Sequence, residues 1–388
     1  MKLGIGVLSL AVLAGLVQAA PQGPVGYWTL DETAGPSANS AGGYGAGTWN
    51  GPTFSNTPTP KNSYPNTGCL SFDGSTQHVE IANSAPLENV QEGDYTLSAW
   101  VNPADVPVAG SNEGRYGILY KTGWHGGLGY TRDGNGEGRF IFEHWLTGNA
   151  WNGAVSSVAS PPAVWYHVAG VVDRTNGTSR IYVNGEPRGL GTWTAGTEAR
   201  DYGANPWIIG CVSPTAAYGS YRWAYKGLID DVRIYRRALS ETEIKILWEG
   251  VPAPTNVQAQ AGIQQVSLTW NAPALPPGYT AYTYNIFQTV NGTTTQIASG
   301  VTGTSYTDTT ATTTDTYTYE VTAVSVAESG PSTPAASAVP LSPIPRLNDH
   351  EEGLFDDKCA CGSSIPGPWP AAIAWAAVLL AAWAGRRR

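Results

Sequence analysis

Enzymatic cleavage of a glycan by two carboxylates on one strand would read roughly Glu-x-Asp-x-x-Glu. One acid acts as nucleophile and the other as proton donor, at a fixed separation across one cleft. The sequence has no such run. "FEHW" offers Glu143 alone, and "LIDDVRIY" sets Asp230 beside Asp231, so the two point to opposite faces of a strand. Gly-x-Ser-x-Gly, His-Glu-x-x-His and a phosphate-binding glycine loop are missing as well. Catalysis is therefore not expected. What the chain does hold is tryptophan in glycine-rich, polar surroundings. An exposed indole can stack on the apolar face of a sugar while Asn, Asp or Arg bonds the hydroxyls. "KTGWHGGLGYTRDG" supplies Trp124, His125 and Arg132, "EHWLTGNAWNG" supplies Trp145, Asn149 and Trp151, and "TWTAGTEARDYGANPW" supplies Trp193. These residues are the candidate ligand-binding set. Trp100, Trp165 and Trp207 sit in strand-like runs and are expected in the core.

Four cysteines complete the reactive inventory. Cys69 and Cys211 lie in the same large region, where an oxidising compartment would permit a disulfide; two separate buried thiols are the other reading. Cys359 and Cys361 stand in "CACGSS" near the end of the chain. A metal site there would need further ligands, with His350 as one candidate. A bridge between residues two apart would be strained. Processing or lipidation just outside an apolar segment fits the surroundings best.

These groups must be carried by β-structure. Over residues 24–248, short alternating or apolar runs such as "YTLSAWV", "WYHVAGVVD" and "LIDDVRIY" are separated by Gly, Asn and Asp turns. Asn176-Gly177 and Asn184-Gly185 each follow an alternating run, which is a strong short-range hairpin signal. One segment reads as helix: in "LSETEIKILWEG", Ser240 precedes Glu243 by three, a capping-box spacing, and Gly250 is a stop. "EGVPAPTN" reads as a linker. Residues 252–340 give a second, smaller β unit, in which Val266, Leu268 and Trp270 share a face, as do Tyr317, Tyr319, Val321 and Ala323. The fold class is all-β: an antiparallel jelly-roll sandwich followed by a small second sandwich.

The ends read as addresses. Residues 1–19 have a lysine, an apolar run and small residues at a cleavage-like position, the pattern of a signal peptide. Residues 341–358 are Pro-rich, then acidic, and read as a solvated linker. Residues 359–388 end in an apolar run, 370–385, and three arginines. As a helix this run would reach about 24 Å, short of the roughly 30 Å hydrocarbon core, so it would span marginally, with the arginines on the cytoplasmic side. With 13% charged residues and a net charge of −9, the chain offers no basic tract for nucleic acid.

Several of these stretches carry family resemblances. "GYWTLDE", "LSFDGSTQHVEI", "YTLSAWVNP", "WYHVAGVVD", "RIYVNG" and "KGLIDDVRIYRRALSETEI" follow one another in the order of the bacterial LamG-like jelly roll, a member of the concanavalin A-like lectin/glucanase superfamily. In similar jelly rolls of the laminarinase type, the aspartate matching Asp230 holds a structural calcium. The resemblance thus implies calcium at Asp230, with Asp31 in "LDE" and Asp73 in "FDG" as further oxygen donors. Residues 252–340 resemble a fibronectin type III domain, with Trp270 at its core tryptophan and Tyr317 at its corner tyrosine. No Arg-Gly-Asp triplet is present. The tail 359–388 is similar to cysteine-containing C-terminal sorting signals of myxobacteria. Together these imply a non-catalytic protein exported to the cell surface, outer membrane or medium. It would bind a glycan or another extracellular polymer, meet a sorting protease, and pass through transient inner-membrane retention by its C-terminal helix. A polysaccharide-active hydrolase or lyase, and a purely structural matrix component, are the alternatives.

Overall fold

The computed structural model describes residues 23–33, 37–38, 45–57, 59–60, 67–108, 114–123, 126–200, 203–214, 223–275 and 281–343. The signal peptide, the acidic linker beyond 343, the sorting tail with Cys359 and Cys361, and its apolar run lie outside these residues. No described helix is long and apolar enough to cross a membrane.

The first sandwich is built from β1 (Gly26–Trp28), β2 (Ser37–Ala38), β3 (Gly47–Asn50), β4 (Thr53–Ser55), β5 (Cys69–Asp73), β6 (His78–Ile81), β7 (Tyr95–Pro103), β8 (Arg115–Lys121) and β9 (Gly126–Arg132). It continues through β10 (Gly138–Glu143), β11 (Trp145–Leu146), β12 (Ala150–Trp151), β13 (Ala154–Val155), β14 (Tyr166–Asp173), β15 (Thr178–Val183), β16 (Glu186–Thr192), β17 (Trp207–Ile209) and β18 (Lys226–Tyr235). One sheet runs β16-β15-β14-β7-β18-β5-β4, with β1 also beside β18. The facing sheet runs β13-β10-β9-β8-β17-β6-β3-β2, and β11 and β12 make a separate hairpin. Every strand pairing is antiparallel, as the jelly-roll reading requires.

The alternation explains the core. On β7, Tyr95, Leu97, Ala99 and Val101 point between the sheets, and Val168 and Val172 of β14 and Ile229, Val232 and Ile234 of β18 join them. The other face of this first sheet is buried too. Trp100 lies opposite both His167 and Asp230, Ser98 lies opposite Arg233, and all five are at most 2% exposed. Strands covered on both faces lose the clean polar–apolar alternation of a half-exposed sheet, which is why "YTLSAWV" and "WYHVAGVVD" are so apolar. Trp207 is fully buried, but Trp165 is only half-buried, because it sits one residue ahead of β14 and outside the ladder.

Both turn readings locate hairpins. Asn184 (φ 51°) and Gly185 (φ 76°) form a two-residue turn between β15 and β16, with the successive positive φ values of a type I′ turn. Asn176-Gly177 closes a longer four-residue turn between β14 and β15. The helix α1 (Glu241–Glu249) carries the full capping box: Ser240 Oγ accepts from the Glu243 amide at 3.3 Å, and the Ser240 amide donates to Glu243 Oε2 at 2.8 Å. Gly250, at φ 85°, ends it.

The second sandwich sets β19 (Thr255–Gly262), β20 (Gln265–Asn271) and β23 (Ser305–Asp308) against β21 (Thr283–Val290), β22 (Thr293–Thr302), β24 (Tyr317–Val324) and β25 (Ala336–Ala338). Its predicted inner faces, Val266, Leu268 and Trp270 on one side and Tyr317, Tyr319, Val321 and Ala323 on the other, are all buried. The Tyr317 hydroxyl bonds Thr313 Oγ1, four residues upstream, at 2.8 Å. The stretch "EGVPAPTN" does connect α1 to β19, and it is packed rather than free. Val251 is 2% exposed and joins one apolar cluster with Ala169, Val171, Tyr182 and Tyr235 of the first sandwich, α1, and the core of the second. The Tyr235 hydroxyl donates to the Val326 carbonyl at 3.0 Å across this junction. Both sandwiches belong to one compact unit.

Candidate functional site

The hairpin β11–β12 gathers three of the predicted residues. Trp145 lies directly opposite Trp151, so both indoles project from the same face of the ribbon. The turn between them needs left-handed backbone, supplied by Gly148 (φ 75°) and Asn149 (φ 60°), residue types that tolerate it. Leu146 is buried and bridges Ala199, while the Thr147 amide donates to Glu198 O and the Arg200 amide to Trp145 O, each at 3.0 Å. The hairpin is thus stitched to the segment ahead of β17. At its tip, Arg200 Nη1 donates to Asn149 Oδ1 at 2.6 Å. Trp151 is 43% exposed and Trp145 half-buried. The Trp151 indole lies against Gly153, where an added Cβ would come within 2.9 Å of the ring. Gly153 therefore lets the platform settle against the backbone.

Below the hairpin, His144 is 1% exposed, with Nδ1 3.1 Å from the Tyr95 hydroxyl. Burial, helped by the positive charge of Arg174, lowers its pKa to about 3, so the ring is neutral near pH 7. Trp193 packs its ring 5.1 Å from His144 and rests on the sandwich core. Its half-buried indole, with a buried Nε1, is a wall of the core edge rather than an open platform. Arg132 is separated from the group. It ends β9 six residues beyond Gly126, about 20 Å along the strand, whereas Glu143 pairs with Gly127 at the hairpin end. Trp124 and His125 lie outside the described residues.

Glu143 projects from the outer face of the second-described sheet but is 1% exposed. Arg115 Nη1 binds its Oε1 at 2.6 Å, and the Tyr120 hydroxyl reaches Oε2 at 3.4 Å. Arg115 also stacks over Trp223 at 4.8 Å, and Trp223 meets Tyr120 edge-on at 5.8 Å. Tyr120, Val212 and Trp223 form a small buried cluster on this face. Gly129 makes room for it, since a Cβ there would stand 2.7 Å from the Tyr120 hydroxyl. A carboxylate so paired and covered has no side open to a sugar ring.

The three aspartates implied as calcium ligands each spend an oxygen on backbone amides. Asp230 Oδ1 accepts from the Asp231 amide at 2.9 Å. Asp31 Oδ1 takes the Gly68 amide at 3.0 Å and the Thr67 amide at 2.5 Å. Asp73 Oδ1 caps Ser75 through its hydroxyl and amide, which lowers the pKa of Asp73. Among the described residues no three Asp, Glu, His or Cys side chains converge, so side chains alone do not make the 6–8-oxygen shell of calcium. Cys69 and Cys211 are both buried thiols rather than a bridge. Cys69 opens β5 in one sheet, with Sγ 3.2 Å from the Thr57 carbonyl, while Cys211 follows β17 in the other.

Sequence reading missed Arg200 and the pairing of Glu143 with Arg115. Neither contact has a local signal, since the partners are 51 and 28 residues apart.

Several solved structures are similar to parts of this chain. Domain 4 of AbnA, a GH43 extracellular arabinanase from Geobacillus stearothermophilus, in complex with arabinotriose, is 16% identical with a TM-score of 0.41, covering 58% of this chain and 98% of that one. The binding domain of Paraclostridial Mosquitocidal Protein 1 is 10% identical with a TM-score of 0.45, covering 77% of each chain. An Fn3-like protein from Clostridium thermocellum is 34% identical with a TM-score of 0.19, covering 24% of this chain and 95% of that one. No curated protein matches the chain. Residues 73–245, within the first sandwich, match the Laminin_G_3 family model, described as the concanavalin A-like lectin/glucanases superfamily.

Proposed function

We propose that this is an exported, non-catalytic protein whose jelly roll binds a carbohydrate at the rim carrying the β11–β12 hairpin. The observation that carries the reading is the cross-strand pair Trp145–Trp151, with Trp151 43% exposed beside the Asn149–Arg200 hydrogen bond. An indole face beside a polar bracket is the combination that sugar recognition asks for. The superfamily match over 73–245 agrees with carbohydrate interaction in general terms. The closed Arg115–Glu143 pair supports binding rather than hydrolysis. The second sandwich acts as a fibronectin type III-like spacer. The tail is a sorting signal whose cysteines mark the processing or lipidation point.

A glycan array with the purified protein tests this directly. Binding to a polysaccharide class without release of reducing ends is the expected result. Release of reducing ends would return the protein to the hydrolases, and absence of binding to any polysaccharide would remove the lectin reading. The mass of protein recovered from cells tests the tail, since an intact Arg388 terminus excludes processing.

A further inference from the structure

Asn-Gly pairs carry a reaction of their own, because the glycine has no side chain to shield its amide from the carboxamide one residue earlier. Six such pairs stand in the chain, at Asn50, Asn135, Asn152, Asn176, Asn184 and Asn291. Five are tied by hydrogen bonds. The carboxamide nitrogen of Asn50 donates to Thr48 O at 3.2 Å, that of Asn152 to Ala150 O at 3.3 Å, and that of Asn176 to Asp173 Oδ2 at 2.7 Å. Asn184 Oδ1 accepts the His167 amide at 2.9 Å. At Asn135 the engaged group is the following amide, since Gly136 donates to Asp133 O at 3.1 Å.

Asn291 and Gly292 differ. They form the two-residue turn between β21 and β22, at φ 49° and 77°, and Val290 pairs with Thr293 across it. Both residues are exposed, and neither the Asn291 carboxamide nor the Gly292 amide makes a hydrogen bond within the protein. A Cβ added at Gly292 would meet nothing within 4 Å, whereas one at Gly153, Gly177 or Gly185 would stand 2.2, 2.3 or 2.8 Å from its nearest neighbour. The Gly292 amide is thus open to water and free to turn toward Asn291 Cγ, opposed only by the Val290–Thr293 rung. That rung is weakly supported: β22 is an edge strand, held in its sheet by β21 alone among the described residues.

We propose that Asn291 is a self-modifying site, at which the folded protein loses a carboxamide with time and breaks the β21–β22 turn. The Gly292 nitrogen bonds to Asn291 Cγ, the Cγ–Nδ2 bond breaks, and the proton of the attacking amide leaves with the side-chain nitrogen as ammonia. A five-membered cyclic imide results. Water then adds to one of its two carbonyls and the ring opens, returning a proton to the nitrogen. Opening at Cγ gives aspartate; opening at the main-chain carbonyl gives isoaspartate, in which the main chain runs through the side-chain methylene. Water is consumed and ammonia released, with no change of oxidation state. One more atom in the main chain of a two-residue turn is incompatible with the Val290–Thr293 register. The reaction holds whatever the jelly roll binds. Peptide mass spectrometry of the whole protein, aged in the folded state at mildly alkaline pH, tests all six pairs together. Asn291 is expected to convert about fivefold faster than any other, because each of the others must first break a net hydrogen bond. In urea those bonds are gone and the lead should vanish. Conversion at another pair as fast as at Asn291 in the folded protein overturns the proposal. So does a lead that persists in urea, which would make the flanking sequence its cause. Asn291→Asp adds the charge without lengthening the chain, in a residue that tolerates the left-handed backbone. The aged protein should melt below this variant; equal melting would overturn the breaking of the turn.

Discussion

Replacing Trp151 by alanine is the sharpest test of the hairpin platform. The side chain is 43% exposed. An indole side chain of ~250 Å² would then offer about 110 Å² to solvent, and a sugar stacked on one face would cover about half of that. At ~25 cal/mol per Å², the contact is worth about 1.4 kcal/mol, or roughly a tenfold change in Kd. The assay is titration with whichever polysaccharide the array identifies, at a temperature well below the Tm of the variant, because truncation also removes the part of the ring that rests on Gly153. Trp151→Tyr keeps a flat ring and should recover most of the loss. A purely structural role would show the opposite pattern, with Tm falling in step with ring size and affinity unchanged. Affinity of the alanine variant within twofold of wild type would refute the platform.

Acid sensitivity follows from two buried histidines. His144 and His167 titrate near 6.5 when unfolded and at about 3 when folded, chiefly because burial disfavours the cation. Between these values the unfolded chain binds more protons, so each histidine should cost roughly 1.4 kcal/mol of stability per pH unit as pH falls below ~6.5, and nothing above it. Denaturant titrations of the wild type and His144→Gln from pH 7 to pH 5 should show the variant with about half the slope; equal slopes would mean that His144 is protonated in the folded protein. For the cation, adding calcium should shift Tm equally in the wild type and in Asp230→Asn, since Asp230 Oδ1 already accepts a backbone amide. A calcium shift lost only in the variant would place the ion at that carboxylate.

Local features were legible where a few adjacent residues decide the outcome. Ser240 and Glu243 close their capping box within one helical turn, and Asn184-Gly185 meets the positive-φ demand of its turn with the two residues concerned. The site was legible only in part. Trp145, Asn149 and Trp151 share eleven residues, and the Gly148-Asn149 turn that folds the indoles onto one face lies between them. Arg200 comes to Asn149 from 51 residues away, and Arg115 to Glu143 from 28, so no spacing rule could announce either. The packing of Trp193 was hidden for the same reason: glycine and polar neighbours in sequence do not reveal that its ring lies against His144. "EGVPAPTN" has a linker's composition, but burial of Val251 is decided by the docking of two sandwiches, a tertiary event that composition does not encode.

That docking bears on which surface is left for a ligand. The outer face of the first sheet is covered at its centre: Trp100, His167, Asp230 and Arg233 are buried there, and Tyr235 is tied to Val326 of the second sandwich. On the opposite sheet, part of the outer face is filled by Tyr120, Val212 and Trp223, with Glu143 sealed by Arg115. Among the described residues, these parts of the two broad faces thus already hold the protein's own side chains. The open aromatic surface at the hairpin end is small, and its polar neighbours are held by Arg200. A site of this kind grips one or two sugar units by face and edge and gains strength from repetition along a polymer rather than from depth. Affinity for a short oligosaccharide should therefore be weak, and it should rise when several copies of the protein are displayed together on one surface.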